Sequence, residues 1–331
     1  MIVFYVVFLF LNKNKIFQKF NPETVNNYLR SQDIYDKRGD IKDRIFVSDE
    51  TIYIASGYLY AKGSDPRDYN FQHPPFIKYL FGLSSLIFKL PLIPNVVFGL
   101  VLLLEVYLLA SLVTKRKTVG FLASILVLID PVFKEVTSYA LLDLGQIVFI
   151  LGFLITTIYY EKHYLLSGIL LGLAFSSKFY SPILIFLVVI YIYKLINKKL
   201  IIKREIYTLV VAGITFYLTY IVSVINDKGM FNLFFQQAKM VKFMMVHNKA
   251  VEIGGILPMF FGGHILWPIS FAASLYSLYK DKFITFISFL VIIPVLYTIV
   301  MFFQIPFTRY FILTLPIFYI SLSNLVFRNY K

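Results

Sequence analysis

The sequence predicts an all-α protein that crosses a membrane many times. Its 331 residues are 59% hydrophobic and 15% charged, against roughly 45–50% apolar and about 25% charged residues in soluble domains. Apolar runs near or above the roughly 18 residues that span a bilayer alternate with short basic or proline- and glycine-containing stretches. A soluble globular fold is therefore excluded, and helices are expected because a helix satisfies its own backbone hydrogen bonds within lipid.

The net charge of +14 does not indicate a nucleic-acid-binding protein. The 32 lysine and arginine residues lie between apolar segments and not on one face of a soluble domain. The chain contains no cysteine, which excludes a disulfide framework, a thiolate nucleophile and a cysteine-ligated metal centre.

Five regions follow one another along the chain. The apolar residues 1–11 cover about half of a bilayer's hydrocarbon core, so we interpret them as the outer part of a first transmembrane helix that begins upstream. The others are an extracytoplasmic segment (12–91), transmembrane helices 2–7 (92–226), a second extracytoplasmic segment (227–264), and helices 8–10 with a cytoplasmic tail (265–331).

About ten transmembrane helices are expected in total. Nine apolar runs predict those that follow the first segment: Leu92–Val113, Val119–Phe133, Tyr139–Tyr160, Leu165–Phe175, Phe179–Ile196, Ile206–Ile225, Ile265–Tyr279, Phe283–Phe303 and Phe307–Val326. Lysine and arginine collect in short cytoplasmic loops, and here they concentrate in one alternating set of connections. The two long polar segments fall on the opposite side, which is therefore predicted to be extracytoplasmic.

Asp49 and Glu50 open a predicted surface helix in the first extracytoplasmic segment. Apolar residues recur at helical spacing after Thr51, and Ser48 offers an N-cap. Carboxylates in a first turn are favoured by the helix dipole, so ordinary helix-start acidity is one interpretation. The other is that a carboxylate at the membrane surface acts as a general base for an acceptor hydroxyl.

Four basic side chains lie at or near the predicted outer boundary. His73 and Lys78 flank the Pro74-Pro75 turn, which is either a structural entry turn or part of a site. Lys178 and Arg309 adjoin apolar spans. They either reach toward lipid headgroups or bind a phosphate, for which arginine offers a planar fork and lysine a point charge.

Two carboxylates lie inside predicted spans, where ionisable groups are costly and indicate function. Asp143 lies just inside the outer end of its span, and its expected partner is a cation or a helix end. Glu105 lies near the centre of another span, and the sequence nominates no partner for it.

One helix face is predicted in the second extracytoplasmic segment. Gln237, Met240, Met244 and His247 follow one another at helical spacing. A methionine stripe of this kind is more typical of packing than of a site. Trp267, the only tryptophan, follows this segment and suits an interfacial anchor.

Together these residues resemble the GT-C membrane glycosyltransferases, specifically the protein O-mannosyltransferase family and its bacterial aminoarabinose-transferring relatives. Five motifs in the family's order carry the resemblance: Asp49-Glu50, His73 to Lys78, Ser138 to Asp143, Gln237 to His247 with Trp267-Pro268, and Arg309-Tyr310. There are two departures. Tyr139 stands where the family's Ser-Arg motif has its arginine, and the second outer segment is too short for the large luminal domain of eukaryotic members.

The resemblance implies a GT-C fold and transfer of a sugar, such as a mannose-like hexose, from a polyprenyl or dolichyl phosphate. The acceptor would be a hydroxyl on protein, lipid or glycan outside the cell membrane, attacked with inversion after Asp49 takes its proton and while Glu50 orients the acceptor or nearby backbone. A divalent metal on Asp49 and Asp143 is left open. The other roles are phosphate binding by Arg309, Lys178 and Lys78, and sugar or acceptor binding by His73, Asp143, His247, Tyr139 and Tyr310.

Two other classes of function remain open at this stage. A transporter or flippase places its polar residues near the bilayer midplane on broken helices, whereas most polar candidates here lie at the outer boundary. A non-catalytic subunit that only binds a lipid-linked sugar is disfavoured by the intact Asp49 and Glu50, although Tyr139 favours it.

Overall fold

The computed structural model describes residues 1–33, 44–227, 231–247, 256–281, 286–302 and 307–328. Within these ranges the chain is helical, apart from turns, loops and one isolated bridge between Ser31 and Ile45. The predicted all-α fold is therefore confirmed. The segment 227–264, predicted to be extracytoplasmic, is described only in part, and the side chain of His247 lies outside the described residues.

Nine helices form the first half of the fold. Their bounds are α1 (Ile2–Leu11), α2 (Lys13–Ile16), α3 (Glu23–Leu29), α4 (Asp49–Ala61), α5 (Phe76–Ile87), α6 (Ile93–Thr114), α7 (Lys117–Ile129), α8 (Pro131–Ser138) and α9 (Asp143–Tyr159).

The described part of the second half continues with α10 (Tyr164–Ser177), α11 (Ser181–Ile196), α12 (Ile202–Leu218), α13 (Ile221–Asp227), α14 (Phe231–His247), α15 (Ile256–Gly263), α16 (Leu266–Asp281), α17 (Phe286–Met301), the 3₁₀-helix η1 (Thr308–Leu313) and α18 (Leu315–Arg328).

Helix α9 lies at the centre of the bundle. Every residue from Asp143 to Thr157 is buried, and α9 packs against α6 and α10, while α10 packs in turn on α12. Such all-round burial agrees with an apolar sequence that shows little amphipathic patterning. The first residue of α9 is Asp143, so the bundle's central helix begins with a carboxylate.

The predicted spans Val119–Phe133 and Tyr139–Tyr160 do not end where the apolar runs end. Asp130 and Pro131 separate α7 from a short additional helix, α8, and α8 meets α9 at an angle of 111°. The Asp130 carboxylate accepts a hydrogen bond from the backbone N–H of Val132 at 2.7 Å, and proline suits the first turn of a helix. The Asp130 cap and Pro131 thus begin a new helix within a largely apolar stretch, and they place α8 at the mouth of the bundle.

Trp267 is not exposed as an interfacial anchor. It is 2% exposed, and its indole N–H donates to Asp130 at 2.9 Å. The Tyr319 hydroxyl donates to the same carboxylate. A buried indole needs a hydrogen-bond partner, so Trp267 and Tyr319 tie α16 and α18 to the start of α8.

Among the described residues, one helix is long and apolar enough to cross a membrane alone, Ile93–Thr114. The bent pair Pro131–Ser138 and Asp143–Tyr159 makes a second candidate. Seven further apolar helices are 10–17 residues long. The expectation of about ten spans, and the regions assigned from it, stay predictions.

Helices α4 and α5, in the segment predicted to be extracytoplasmic, cross at a pair of glycines. A Cβ on Gly57 would lie 1.9 Å from the carbonyl oxygen of Lys78, and a Cβ on Gly82 would lie 1.9 Å from that of Gly57. The two backbones can therefore approach this closely only because both side chains are absent. This contact sets α4, which begins at Asp49, against α5, which follows the His73 turn.

A buried carboxylate anchors this segment to the bundle. Asp65 accepts hydrogen bonds from Ser223 at 2.6 Å and Asn226 at 3.2 Å, both on α13, and from the guanidinium of Arg67. Although burial opposes ionisation, these hydrogen bonds lower the pKa of Asp65 to about 2. The Asp65 carboxylate therefore stays ionised at neutral pH.

Replacement of Gly57 by alanine is expected to push α4 away from α5, because the new Cβ collides with backbone and overpacking costs about 1–3 kcal/mol. The measurement is the midpoint of thermal unfolding in detergent. Gly213→Ala on α12 is the matched control, since nothing lies within 4 Å of a Cβ there. Equal midpoints for the two variants would contradict the packing role.

Candidate active site

The first turn of α4 presents Asp49 and Glu50 side by side at the mouth of the bundle. The Ser48 hydroxyl accepts a hydrogen bond from the Thr51 backbone N–H at 3.3 Å, which confirms the predicted N-cap. Both carboxylates are partly exposed. The helix start is thus an ordinary capped terminus, but each carboxylate also has a partner far away in sequence.

Asp49 pairs with Arg309, which lies 260 residues further along the chain. The Nη2 atom of Arg309, on η1, donates to the Asp49 carboxylate. The guanidinium also faces Asp143, whose carboxylate oxygen lies 3.9 Å from Nε. The Arg309 side chain is 12% exposed and that of Asp49 is 37% exposed, so the arginine lies between a partly exposed and a buried carboxylate.

Asp143 holds a second cation, Lys178. The Lys178 ammonium donates to the other oxygen of Asp143 at 2.5 Å, and the same ammonium lies 4.2 Å from the centre of the Tyr310 ring. Asp143 is 1% and Lys178 8% exposed. The cation predicted as partner of Asp143 is therefore present, and Lys178 does not extend toward lipid headgroups.

These four side chains form an alternating row of charges, Asp49, Arg309, Asp143 and Lys178, which we call the charge row. Its formal charge is zero. One donor is left over, because the buried Nε of Arg309 has no hydrogen-bond partner among the described residues. A buried polar group of this kind is costly unless something fills the place, so the charge row suits an incoming anionic oxygen.

Glu50 belongs to a second set of contacts that the motifs did not predict. One of its oxygens accepts from the Lys15 ammonium at 3.0 Å, and the other accepts from the backbone N–H of Ala140 at 3.3 Å. Lys15 also lies 4.4 Å from the centre of the Tyr139 ring. A cation thus does lie at the position where the family motif has arginine, but it comes from α2.

Glu135 is another acidic residue that the sequence did not single out. Its carboxylate accepts a hydrogen bond from the Thr308 hydroxyl at 3.1 Å, and Thr308 precedes Arg309. The signal in the sequence was weak, because Glu135 follows Lys134 and resembles a solvated boundary pair. The α8 break is what turns Glu135 toward the site.

His73 lies near the charge row as a neutral imidazole. Its ring packs edge-on against Tyr53, with centroids 5.9 Å apart, and its buried Nδ1 has no hydrogen-bond partner in the described part of the chain. Burial lowers the pKa of His73 well below its usual value, and the nearby cations Lys178, Lys78 and Arg309 lower it further. An uncharged group that can donate or accept a hydrogen bond remains.

Comparison with known proteins bears on this arrangement. Residues 72–224 match the family model described as dolichyl-phosphate-mannose-protein mannosyltransferase. The structure of ArnT from Cupriavidus metallidurans bound to undecaprenyl phosphate superposes with a TM-score of 0.63 at 15% identity, over 98% of this chain and 60% of that one. The fold is that of a GT-C glycosyltransferase.

The apo structure of the same ArnT agrees, with a TM-score of 0.62 at 15% identity over 99% of this chain and 59% of that one. The predicted resemblance and the predicted GT-C membrane fold are thereby confirmed. The chain spans about 60% of the length of the ArnT chain that it matches. No curated protein sequence matches it significantly.

Lys78, a predicted phosphate ligand, is held by oxygen atoms of the loop before α5. It is fully buried, and its ammonium donates to the Asn70 side-chain and backbone oxygens at 3.0 and 2.7 Å and to the His73 carbonyl at 2.8 Å. Burial lowers its pKa to about 7, while the nearby Asp33 raises it. These contacts favour a role in shaping the loop that carries His73.

Some predicted candidates are not brought to the charge row in the described structure. Tyr139 is 43% exposed beneath Lys15. Helix α14 confirms the predicted helical face, where Met240 is fully buried as packing requires. The contacts of the His247 side chain are outside the described residues. Glu105 packs near Gly152 and lies in a different part of the bundle.

A metal site on Asp49 and Asp143 stays an expectation. No group of three or more histidine or acidic side chains able to hold an ion occurs in the described ranges. Asp49 and Asp143 are instead bridged by Arg309. A metal at this position would have to replace the arginine between them.

Lys78→Met is expected to destabilise the loop before α5, because the two Asn70 oxygens and the His73 carbonyl lose their donor at a cost of about 1–3 kcal/mol. Limited proteolysis and thermal unfolding in detergent measure the effect. Lys62→Met is the control, since that lysine lies over the exposed Tyr58 side of α4. A role confined to phosphate binding would leave both measurements unchanged and affect donor affinity alone.

Proposed function

We propose that this protein transfers a sugar from a polyprenyl phosphate to an acceptor hydroxyl at the extracytoplasmic face. The observation that carries the proposal is the charge row, in which a buried lysine and a buried arginine, whose Nε has no hydrogen bond to any described residue, share one carboxylate. Two adjacent fixed cations suit the phosphate of such a donor. The match to an enzyme family that uses lipid-linked sugars, and the fold shared with an ArnT bound to undecaprenyl phosphate, support the same conclusion.

The donor phosphate would bind Arg309 and Lys178. In a water-poor site a fixed cation stabilises an anion far more than in bulk water. Arg309 Nε is ready to bond to a phosphate oxygen. As the guanidinium turns toward the phosphate, its bond to Asp49 weakens, and the Asp49 carboxylate becomes free.

Asp49 would then act as the general base. The acceptor oxygen forms a bond to the anomeric carbon, the bond from that carbon to the phosphate oxygen breaks, and the hydroxyl proton passes to Asp49. The polyprenyl phosphate leaves with the electron pair, stabilised by Arg309 and Lys178. A single displacement of this kind inverts the anomeric centre.

The remaining candidates would position the two substrates. His73 is neutral, and its Nδ1 has no hydrogen-bond partner among the described residues, so it would hydrogen-bond the sugar, while Tyr310 would form a wall beside Lys178. Glu50, held by Lys15 and Ala140, would orient the acceptor. Asp143 would keep Lys178 and Arg309 together and thus act through them.

Asp49→Asn is expected to reduce sugar transfer at least about a hundredfold, because an amide does not take up the proton. The measurement is transfer from a synthetic polyprenyl-phosphate sugar by the protein reconstituted in lipid. Glu23→Gln, in the first turn of the exposed α3, is the matched control. Full turnover by Asp49→Asn would remove this residue from the base role, and sugar crossing the bilayer without transfer would indicate a transporter.

Arg309→Lys is expected to raise the KM for the lipid-linked donor by about tenfold, because the planar fork that spans Asp49 and the phosphate is lost. Arg204→Lys provides the comparison, since Arg204 also binds a carboxylate, Glu161, at 2.7 Å but lies in a predicted cytoplasmic connection. An unchanged donor KM in Arg309→Lys would show that this arginine does not bind the phosphate.

A further inference from the structure

A cleft opens between α2 and α8. Its volume is about 440 Å³, within the roughly 300–1,000 Å³ typical of small-molecule sites. It is lined by Leu11, Asn12, Asn14, Lys15, Pro131, Lys134, Glu135, Ser138 and Tyr139. The residues that bind donor phosphate in the proposed function, Arg309 and Lys178, are not among them.

The lining of this cleft is rich in both donors and acceptors of hydrogen bonds. Amides, ammoniums, a carboxylate and hydroxyls line it, and only Leu11 and Pro131 are purely apolar. A second cavity, between α11 and α12, has the opposite character, since apart from Tyr191 and Glu205 it is lined by aliphatic side chains. The α2–α8 cleft therefore suits a ligand with many hydroxyl groups, each of which donates and accepts.

One buried group in the cleft lacks a partner. Ser138 is 4% exposed, and its hydroxyl makes no hydrogen bond to any described residue. Buried hydroxyls normally have a hydrogen-bond partner, but no described side chain supplies one here. A ligand hydroxyl in the cleft would supply the missing bond.

On both walls of the cleft, a lining residue binds the chain neighbour of a charge-row residue. On one side Lys15 binds Glu50, the neighbour of Asp49. On the other side Glu135 binds Thr308, the neighbour of Arg309. The lining residues Lys15 and Glu135 are thus each bonded to the chain neighbour of one member of the pair that the proposed function uses for proton removal and phosphate binding.

We propose that the α2–α8 cleft is the acceptor site and that the acceptor is a saccharide. This inference rests on the proposed function, because a saccharide is an acceptor only if the protein transfers a sugar to it. Saccharide binding in the cleft does not depend on transfer. Lys15 closes the cleft on the Glu50 side and keeps that carboxylate beside the bound saccharide. The reacting hydroxyl lies at the end nearest Asp49.

Binding is tested on the full chain in lipid nanodiscs by saturation-transfer NMR, with maltose and an α-linked mannobiose as probes. Asn14→Trp fills the mouth of the cleft and is expected to weaken saccharide binding by about tenfold or more. Lys13→Trp is the matched control on the same exposed turn, because Lys13 lies over Phe10 and does not line the cleft. No saccharide signal in the unmodified protein, or equal signals in the two variants, overturns the proposal.

A transfer assay distinguishes failure of this proposal from failure of the proposed function. With a polyprenyl-phosphate sugar as donor, Asn14→Trp is expected to lose transfer to saccharides. It is expected still to bind the donor and to hydrolyse it slowly, with water as the acceptor. If the unmodified protein binds saccharides in the cleft but transfers no sugar to them, the cleft is a saccharide-binding site and the proposed function is refuted. Transfer to a serine peptide or a lipid alcohol that Asn14→Trp does not change would refute the cleft.

Discussion

The structure around the outer end of the bundle depends on the buried carboxylate of Asp143. A single carboxylate at the start of the central helix α9 faces two cations, Lys178 at 2.5 Å and Arg309 at 3.9 Å. Neither cation would be stable in this poorly solvated place without a counter-ion. Because Arg309 also binds Asp49, the same carboxylate indirectly sets the position of the surface helix α4.

The helices α4 and α5 are held at that point by close backbone contact as well as by buried apolar residues, such as Ile54 and Phe81, that belong to the main hydrophobic core. Gly57 and Gly82 let α4 and α5 approach until carbonyl oxygens occupy the space that side chains would need. Asp65 fastens the same segment to α13. Helices α4 and α5 are thus fixed to the bundle by backbone contact, apolar packing and a buried polar anchor.

The helical class, the capped start of α4 and the pairing of Asp143 with a cation follow from local patterns and were predictable. The α8 break was not predicted, because one continuous span was predicted across Asp130-Pro131, although this pair carries the cap and proline chemistry that begin a new helix. Lys15 and Glu135 were also missed. Their importance depends on contacts across 35 and 173 residues, and distances of that kind cannot be obtained from spacing along one sequence.

Lys78 shows the opposite limit, since its motif suggested phosphate binding and its contacts instead place it inside a cage of loop oxygens. The position of Arg309 between two carboxylates has a consequence for turnover. In the proposed reaction, the spent polyprenyl phosphate would compete with Asp49 and Asp143 for the same guanidinium. This competition would keep the affinity for the leaving product below what an unopposed arginine and lysine would give, and would so favour its release after each transfer.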